Sequence, residues 1–191
     1  MMRGLFFRCL PLAAVLLATG GEQVRAAGLP LTLTLVMEQS TCDLSLKTPA
    51  TLTFPGVGVA MLGPQAGHVT YAGEKNVTLN LANCAGSARD GAMPAVQISG
   101  NNPLSGNSTL FRDYTSAAEG GVGFGLRQVL AGGQPGAYLA SGSYVDAATA
   151  TGLDAQDQDM HFLVDMLYDP AGGQVTSGML QANIRFQFAY H

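Results

Sequence analysis

The side chains here that could do chemistry are few: cysteines at Cys9, Cys42 and Cys84, histidines at His68, His161 and His191, and the acidic run Asp154-Ala-Gln-Asp-Gln-Asp159. A metal site would want more ligands, and none of the histidines stands in ligand spacing. The acidic run resembles a calcium loop but lacks the glycine and the distal bidentate glutamate such a loop needs, so it reads as a solvated loop. No nucleophile elbow surrounds any serine, and a Ser-His-Asp triad therefore has nothing to support it. Gly120-Gly-Val-Gly-Phe-Gly125 is followed by neither a helix nor a lysine that could hold a phosphate, and reads as the way into a strand. Asn76-Val-Thr and Asn107-Ser-Thr match glycosylation sequons by composition only. The methionines at 37, 61, 93, 160, 166 and 179 are of a kind more often core filler than ligands. No enzymatic activity and no cofactor are expected.

What is left is patterning, and it is strongest at the C-terminus. In Gln181-Ala-Asn-Ile-Arg-Phe-Gln-Phe-Ala-Tyr-His191, residues Ala182, Ile184, Phe186, Phe188 and Tyr190 share one parity, while Asn183, Arg185, Gln187 and His191 share the other. Period 2 with aromatic residues means a strand with one apolar and one wet face. A matching stretch, Leu31-Thr-Leu-Thr-Leu-Val-Met37, alternates Leu31, Leu33, Leu35 and Met37 against Thr32, Thr34 and Val36.

Residues 1–26 read as a cleaved secretory signal. Arg3 and Arg8 form a basic start, Leu10 to Thr19 a short apolar run, and Val24-Arg-Ala26 a small-residue cleavage context. The run is about half of the ~20 apolar residues a membrane span needs. Removal leaves about 165 residues, enough for one domain with a proper core. The nine basic and thirteen acidic side chains lose Arg3, Arg8, Arg25 and Glu22 and become six and twelve, a formal charge of −6. An acidic surface without a Lys/Arg cluster argues against nucleic acid and anionic lipid as partners. Cys9 is lost too. Cys42 and Cys84 then read as one disulfide of an exported protein, ahead of two free thiols or a metal pair. Closing that loop is worth roughly 4 kcal/mol in the chain-entropy account.

Between the two patterned ends lie short apolar alternations broken by Gly, Pro, Asn and Ser. One or two strands are expected over Leu44 to Phe54, and a short one near Val69 and Tyr71. Others are expected around Val77 to Leu81, Val96 and Ile98, Val122 to Leu126, and Phe162 to Met166. Residues 101–121 and 132–158 are small and polar, and are expected as loops at the sandwich ends with an extra strand around Ala137 to Val145. Without a convincing helix, the pattern predicts an all-β sandwich with Greek-key connections.

The order of these features resembles a subunit of chaperone–usher fimbriae, the pilin family of type 1 and P pili. The carriers are Leu31 to Met37 ahead of Cys42, then Val77-Thr-Leu-Asn-Leu-Ala-Asn-Cys84, Val96-Gln-Ile-Ser-Gly100 and Val122-Gly-Phe-Gly-Leu126. Phe162-Leu-Val-Asp-Met166, Gly178 and the terminal alternation with penultimate Tyr190 complete them. The resemblance implies an incomplete immunoglobulin-like sandwich lacking its last strand, with residues 27–41 as an N-terminal extension and 42–191 as the pilin domain. It implies that Leu31, Leu33, Leu35 and Met37 are donor side chains, and that Ile184, Phe186, Phe188 and Tyr190 wall an acceptor groove and bind the chaperone. Such a subunit passes through the periplasm to a fimbria on the bacterial surface. Its partners would be a periplasmic chaperone, an outer-membrane usher and neighbouring fimbrial subunits. Four buried donor side chains would contribute on the order of 6–12 kcal/mol gross.

One departure stands out: Leu35 occupies the position, seven residues before Cys42, where family donor strands carry glycine. This favours a minor or specialised subunit over the main rod protein. The alternatives are a complete sandwich in which Leu31 to Met37 is an ordinary core strand, and a tip adhesin or chain-terminating subunit. An adhesin would bind a host-surface receptor through loops bearing Tyr114, Tyr138 and Tyr144.

Overall fold

The computed structural model describes residues 41–62, 67–69, 72–85, 91–102, 104 and 106–191. All of these fall in the second of the two compact units into which the chain divides, Met37–His191.

In chain order the strands are β1 (Thr41–Leu46), β2 (Gly67–His68), β3 (Glu74–Ala85), β4 (Pro94–Gly100) and β5 (Val122–Val129), followed by β6 (Pro135–Tyr138), β7 (Tyr144–Asp146), β8 (Gln158–Tyr168) and β9 (Ile184–Tyr190). They build two antiparallel sheets. The larger runs β1-β3-β8-β5-β6, with β2 added on β8, and the smaller runs β7-β4-β9. Apolar alternation decides which faces meet. In the large sheet Val77 pairs with Phe162, Leu79 with Met160 and Leu126 with Val164. In the small sheet Val96 pairs with Phe188 and Ile98 with Phe186. Val77, Leu79, Leu126, Met160, Phe162, Val164, Val96 and Ile98 are buried, and Phe186 and Phe188 are packed against them in one core between the sheets. The all-β sandwich is thus the observed architecture.

The disulfide is present: Cys42 and Cys84 lie 4.1 Å apart at Cα and clamp the start of β1 to the end of β3. The β1–β3 ladder shifts register between Thr41 and Asp43. Opposite that shift Asn83 adopts φ 51°, a left-handed conformation that asparagine tolerates better than most side chains.

Three expectations change. The strand read over Leu44 to Phe54 stops at Leu46. Lys47 N–H still donates to the Thr78 carbonyl at 2.9 Å. The Thr78 N–H, however, turns to the Thr48 hydroxyl at 3.2 Å, and Pro49 has no N–H to continue a ladder. Residues 47–58 belong to no strand, yet Leu52 and Phe54 pack on the core, the Phe54 ring 5.1 Å from that of Phe124. The extra strand expected around Ala137 to Val145 is two strands in different sheets. Gly142, at φ 93°, turns the chain from β6 in one to β7 in the other. Nor is the stretch 101–121 all surface loop, since Leu110 and Phe111 within it are fully buried.

Candidate functional site

β9 pairs with β4 from Pro94↔Tyr190 to Gly100↔Ile184. Among the described residues no strand pairs with its other side, and it stands at the edge of the small sheet. β1 is likewise the edge of the large sheet. A groove of about 380 Å³ opens between the segment that leaves β1, from Leu46 to Phe54, and the lead-in and first residues of β9. One wall comes from Leu46, Leu52 and Phe54, the other from Ala182, Ile184 and Phe186, and Val77, Phe124, Leu126 and Val164 supply the floor. The parity of β9 makes this wall apolar: Ile184 and Phe186 are half-buried toward the core, while Arg185 and Gln187 face solvent. The Phe186 ring lies 5.4 Å from Phe162, which fixes its orientation from below.

The sequence-derived residues divide in three. Ile184 and Phe186 line the groove. Phe188 and Tyr190 lie farther along β9, their rings edge-to-face at 5.3 Å, with Phe188 opposite Val96 and Tyr190 opposite Pro94. Leu31, Leu33, Leu35 and Met37 lie outside the described residues. Sequence reasoning missed the other wall, because Leu52 and Phe54 serve it from a segment without strand pairing.

A polar cluster also went unseen. His68 Nδ1 lies 3.0 Å from Asp165 Oδ2, and Arg127 Nη2 donates to Asp165 Oδ2 at 2.9 Å and to Glu74 Oε1 at 2.6 Å. Ligand atoms of His68, Glu74 and Asp165 come within 4.8 Å of one another, but the guanidinium already bridges the two carboxylates, so the arrangement is an ion-pair network. Asp165 is fully buried. Tyr138 lies across β5 at Gly125, where any Cβ would come within 2.7 Å of its ring, and donates its hydroxyl to Asp165 at 2.7 Å. Burial, together with the Asp165 carboxylate, pushes the Tyr138 hydroxyl well above its ordinary titration range.

Of the three tyrosines expected in loops, Tyr138 lies at the end of β6 and Tyr144 at the start of β7, and only Tyr114 is in a loop. Tyr138 is committed to Asp165, and Tyr144 stacks on His191 at 4.5 Å, whereas Tyr114 is 72 % exposed. In the acidic run, Asp157 accepts from the Cys84 N–H at 3.0 Å and Asp159 from Lys47 and Asn80, each at 2.7 Å. The Lys47 and Asn80 bonds hold the Asp159 carboxyl below its usual value.

No protein-family model matches the chain, and a search of the curated proteins finds no match. Comparison with solved structures does find matches. The crystal structure of the P pilus rod subunit PapA superposes with a TM-score of 0.52 at 17 % identity, over 85 % of this chain and 100 % of that one. The fold is a pilin fold. A second match is the CupB6 tip adhesin from Pseudomonas aeruginosa, with a TM-score of 0.41 at 13 % identity over 81 % of this chain and 46 % of that one. Among the described residues three strands face six, with an apolar groove beside β9.

Proposed function

We propose that the chain is a subunit of a chaperone–usher fimbria, a minor one, which polymerises by donor-strand exchange and serves cell adhesion. One observation carries this reading: among the described residues β9 has no ladder partner on its outer side, and the groove beside it is walled by Ile184 and Phe186 over an apolar floor. An edge strand beside half-buried apolar side chains invites a further strand, with ladder bonds supplying affinity and alternate side chains specificity. The occupant is the N-terminal extension of a neighbouring subunit, of the type Leu31-Thr-Leu-Thr-Leu-Val-Met37. A strand of the periplasmic chaperone fills the groove before it.

On this reading residues 1–26 direct export and are removed, 27–41 are the donor extension, and 42–191 are the domain delivered to the usher and displayed outside the cell. Leu35, at the position where family donors carry glycine, needs a roomier partner groove and supports a specialised place in the fibre. Tip adhesion through loop tyrosines is the weaker reading, because Tyr138 and Tyr144 are already engaged.

The test offers a labelled Gly28–Ser40 peptide to the purified chain. Saturable binding with a rise in melting temperature is expected. A peptide that neither binds nor stabilises, under conditions where a chaperone-derived strand does, ends the donor assignment.

A further inference from the structure

The stretch leading into β9 belongs to no sheet from Gly178 to Asn183, yet Gln181, Ala182 and Asn183 form one end of the groove wall. The loop after Phe111 holds it. Asp113 N–H donates to the Gln181 carbonyl at 2.8 Å, and Ala117 and Ala118 N–H converge on the Met179 carbonyl at 2.9 and 3.1 Å. Ser116 Oγ donates to the Gln181 carbonyl at 3.0 Å and accepts its N–H at 3.1 Å.

Asp113 lies at the centre and is 93 % buried, with 7 % of its surface exposed. Its Oδ1 accepts the Asn183 backbone N–H at 3.1 Å, its Oδ2 accepts from Asn183 Nδ2, and Asn101 Nδ2 reaches Oδ1 at 3.4 Å. Asn101 follows the last residue of β4 and Asn183 precedes the first residue of β9, so the carboxylate ties the two strands just beyond their Gly100↔Ile184 pair. Burying a carboxylate among neutral donors is costly. An asparagine would fill the same space at lower cost, but it has one acceptor oxygen. A carboxylate offers two, and so takes the backbone and side-chain N–H of Asn183 together.

We infer that Asp113 is a positioning residue for the docking groove: it holds residues 181–183 in the shape an incoming strand needs before that strand arrives. This rests on the donor-strand reading given above. A wall fixed in advance loses less conformational freedom on docking, so the clamp acts on affinity for the strand as well as on the fold.

The experiment compares the full chain with Asp113→Ala, Asp113→Asn and Asn183→Ala by hydrogen exchange and by binding of the labelled Gly28–Ser40 peptide. In Asp113→Ala, exchange over residues 181–184 should quicken by about tenfold, while the β3 and β8 core (Leu79, Leu81, Met160, Phe162) keeps its protection. Peptide dissociation should quicken with it. Asp113→Asn, which keeps one acceptor, should fall between, and Asn183→Ala should loosen the same segment if Asp113→Ala does not fold. Exchange that rises uniformly, or stays unchanged over 181–184, overturns the clamp whatever the peptide does. Local loosening with unaltered peptide kinetics overturns its role in docking. Failure of the unsubstituted chain to bind peptide instead refutes the donor-strand reading and leaves the exchange result to decide the clamp.

Discussion

Phe186→Asp tests the groove most directly, provided the free variant is shown by its melting temperature to remain folded, since Phe186 also packs on the core. The side chain at 186 lines the groove and faces Phe162 across the core. In the free chain a carboxylate there can turn toward the open side and keep part of its water. A docked strand would cover it with apolar atoms and no counter-charge, a burial that costs about 3–5 kcal/mol when nothing compensates. The carboxyl can escape by taking up a proton. At pH 7 that escape costs about 4 kcal/mol, set by three pH units above an ordinary aspartate, and at pH 5 about 1.5 kcal/mol. Peptide affinity should therefore fall on the order of 10²–10³-fold at pH 7 and by about tenfold at pH 5. The matched control is Gln187→Asp, one residue on, exposed on the opposite face of β9; it adds the same charge and should leave binding within about twofold. Fluorescence anisotropy with the Gly28–Ser40 peptide, run for both variants at both pH values, reads all four numbers. Equal losses for the two variants, or a Phe186→Asp loss that ignores pH, would show that the strand docks elsewhere. If a periplasmic chaperone fills the groove, as proposed above, Phe186→Asp should fail to accumulate in the periplasm, because the chaperone's strand would meet the same buried charge.

Replacing both cysteines by alanine removes a closure of sequence separation 42 and should lower stability by roughly 4 kcal/mol in urea unfolding; a midpoint within experimental error of the parent contradicts this. Gly178→Ala places a Cβ about 2.5 Å from the Ala117–Ala118 peptide, which should cost about 1–3 kcal/mol and a visible drop in melting temperature; an unchanged melting point would mean that the lead-in to β9 shifts freely. Tyr138 has its hydroxyl pKa raised from 10.0 in the folded chain. Its contribution is complete below pH 10, and declines as pH climbs past 10 toward the folded value, because the unfolded chain releases the proton first. Urea midpoints at pH 9 and pH 11 should diverge less in Tyr138→Phe than in the parent, and equal divergence would refute the link.

Much of the fold was legible because alternation survives wherever one face meets the core. Val77 to Leu81, Val122 to Leu126 and Ile184 to Tyr190 each announce their strand by parity. Half of the groove could be read the same way, since Ile184 and Phe186 carry the parity of β9. Leu52 and Phe54 could not, because they reach the opposite wall from a segment whose ladder ends near Pro49. Asp165 was hidden for a different reason. Alternation correctly turns it away from the core, but it is buried because Tyr138 crosses β5 at Gly125, a tertiary accident that no local pattern encodes. Asp113 likewise looks like an ordinary loop acid until Asn183, seventy positions away, is brought beside it.

The spacing of β4 and β9 bears on how the molecule is made. The two are neighbours in space, yet Gly100 meets Ile184 only after 84 further residues. As the polypeptide emerges from its N-terminal end, the segment carrying Val96 and Ile98 can pair with β7 on one side, but its other side stays open until β9 follows. Distant pairings of this kind are slow to form and invite clumping meanwhile.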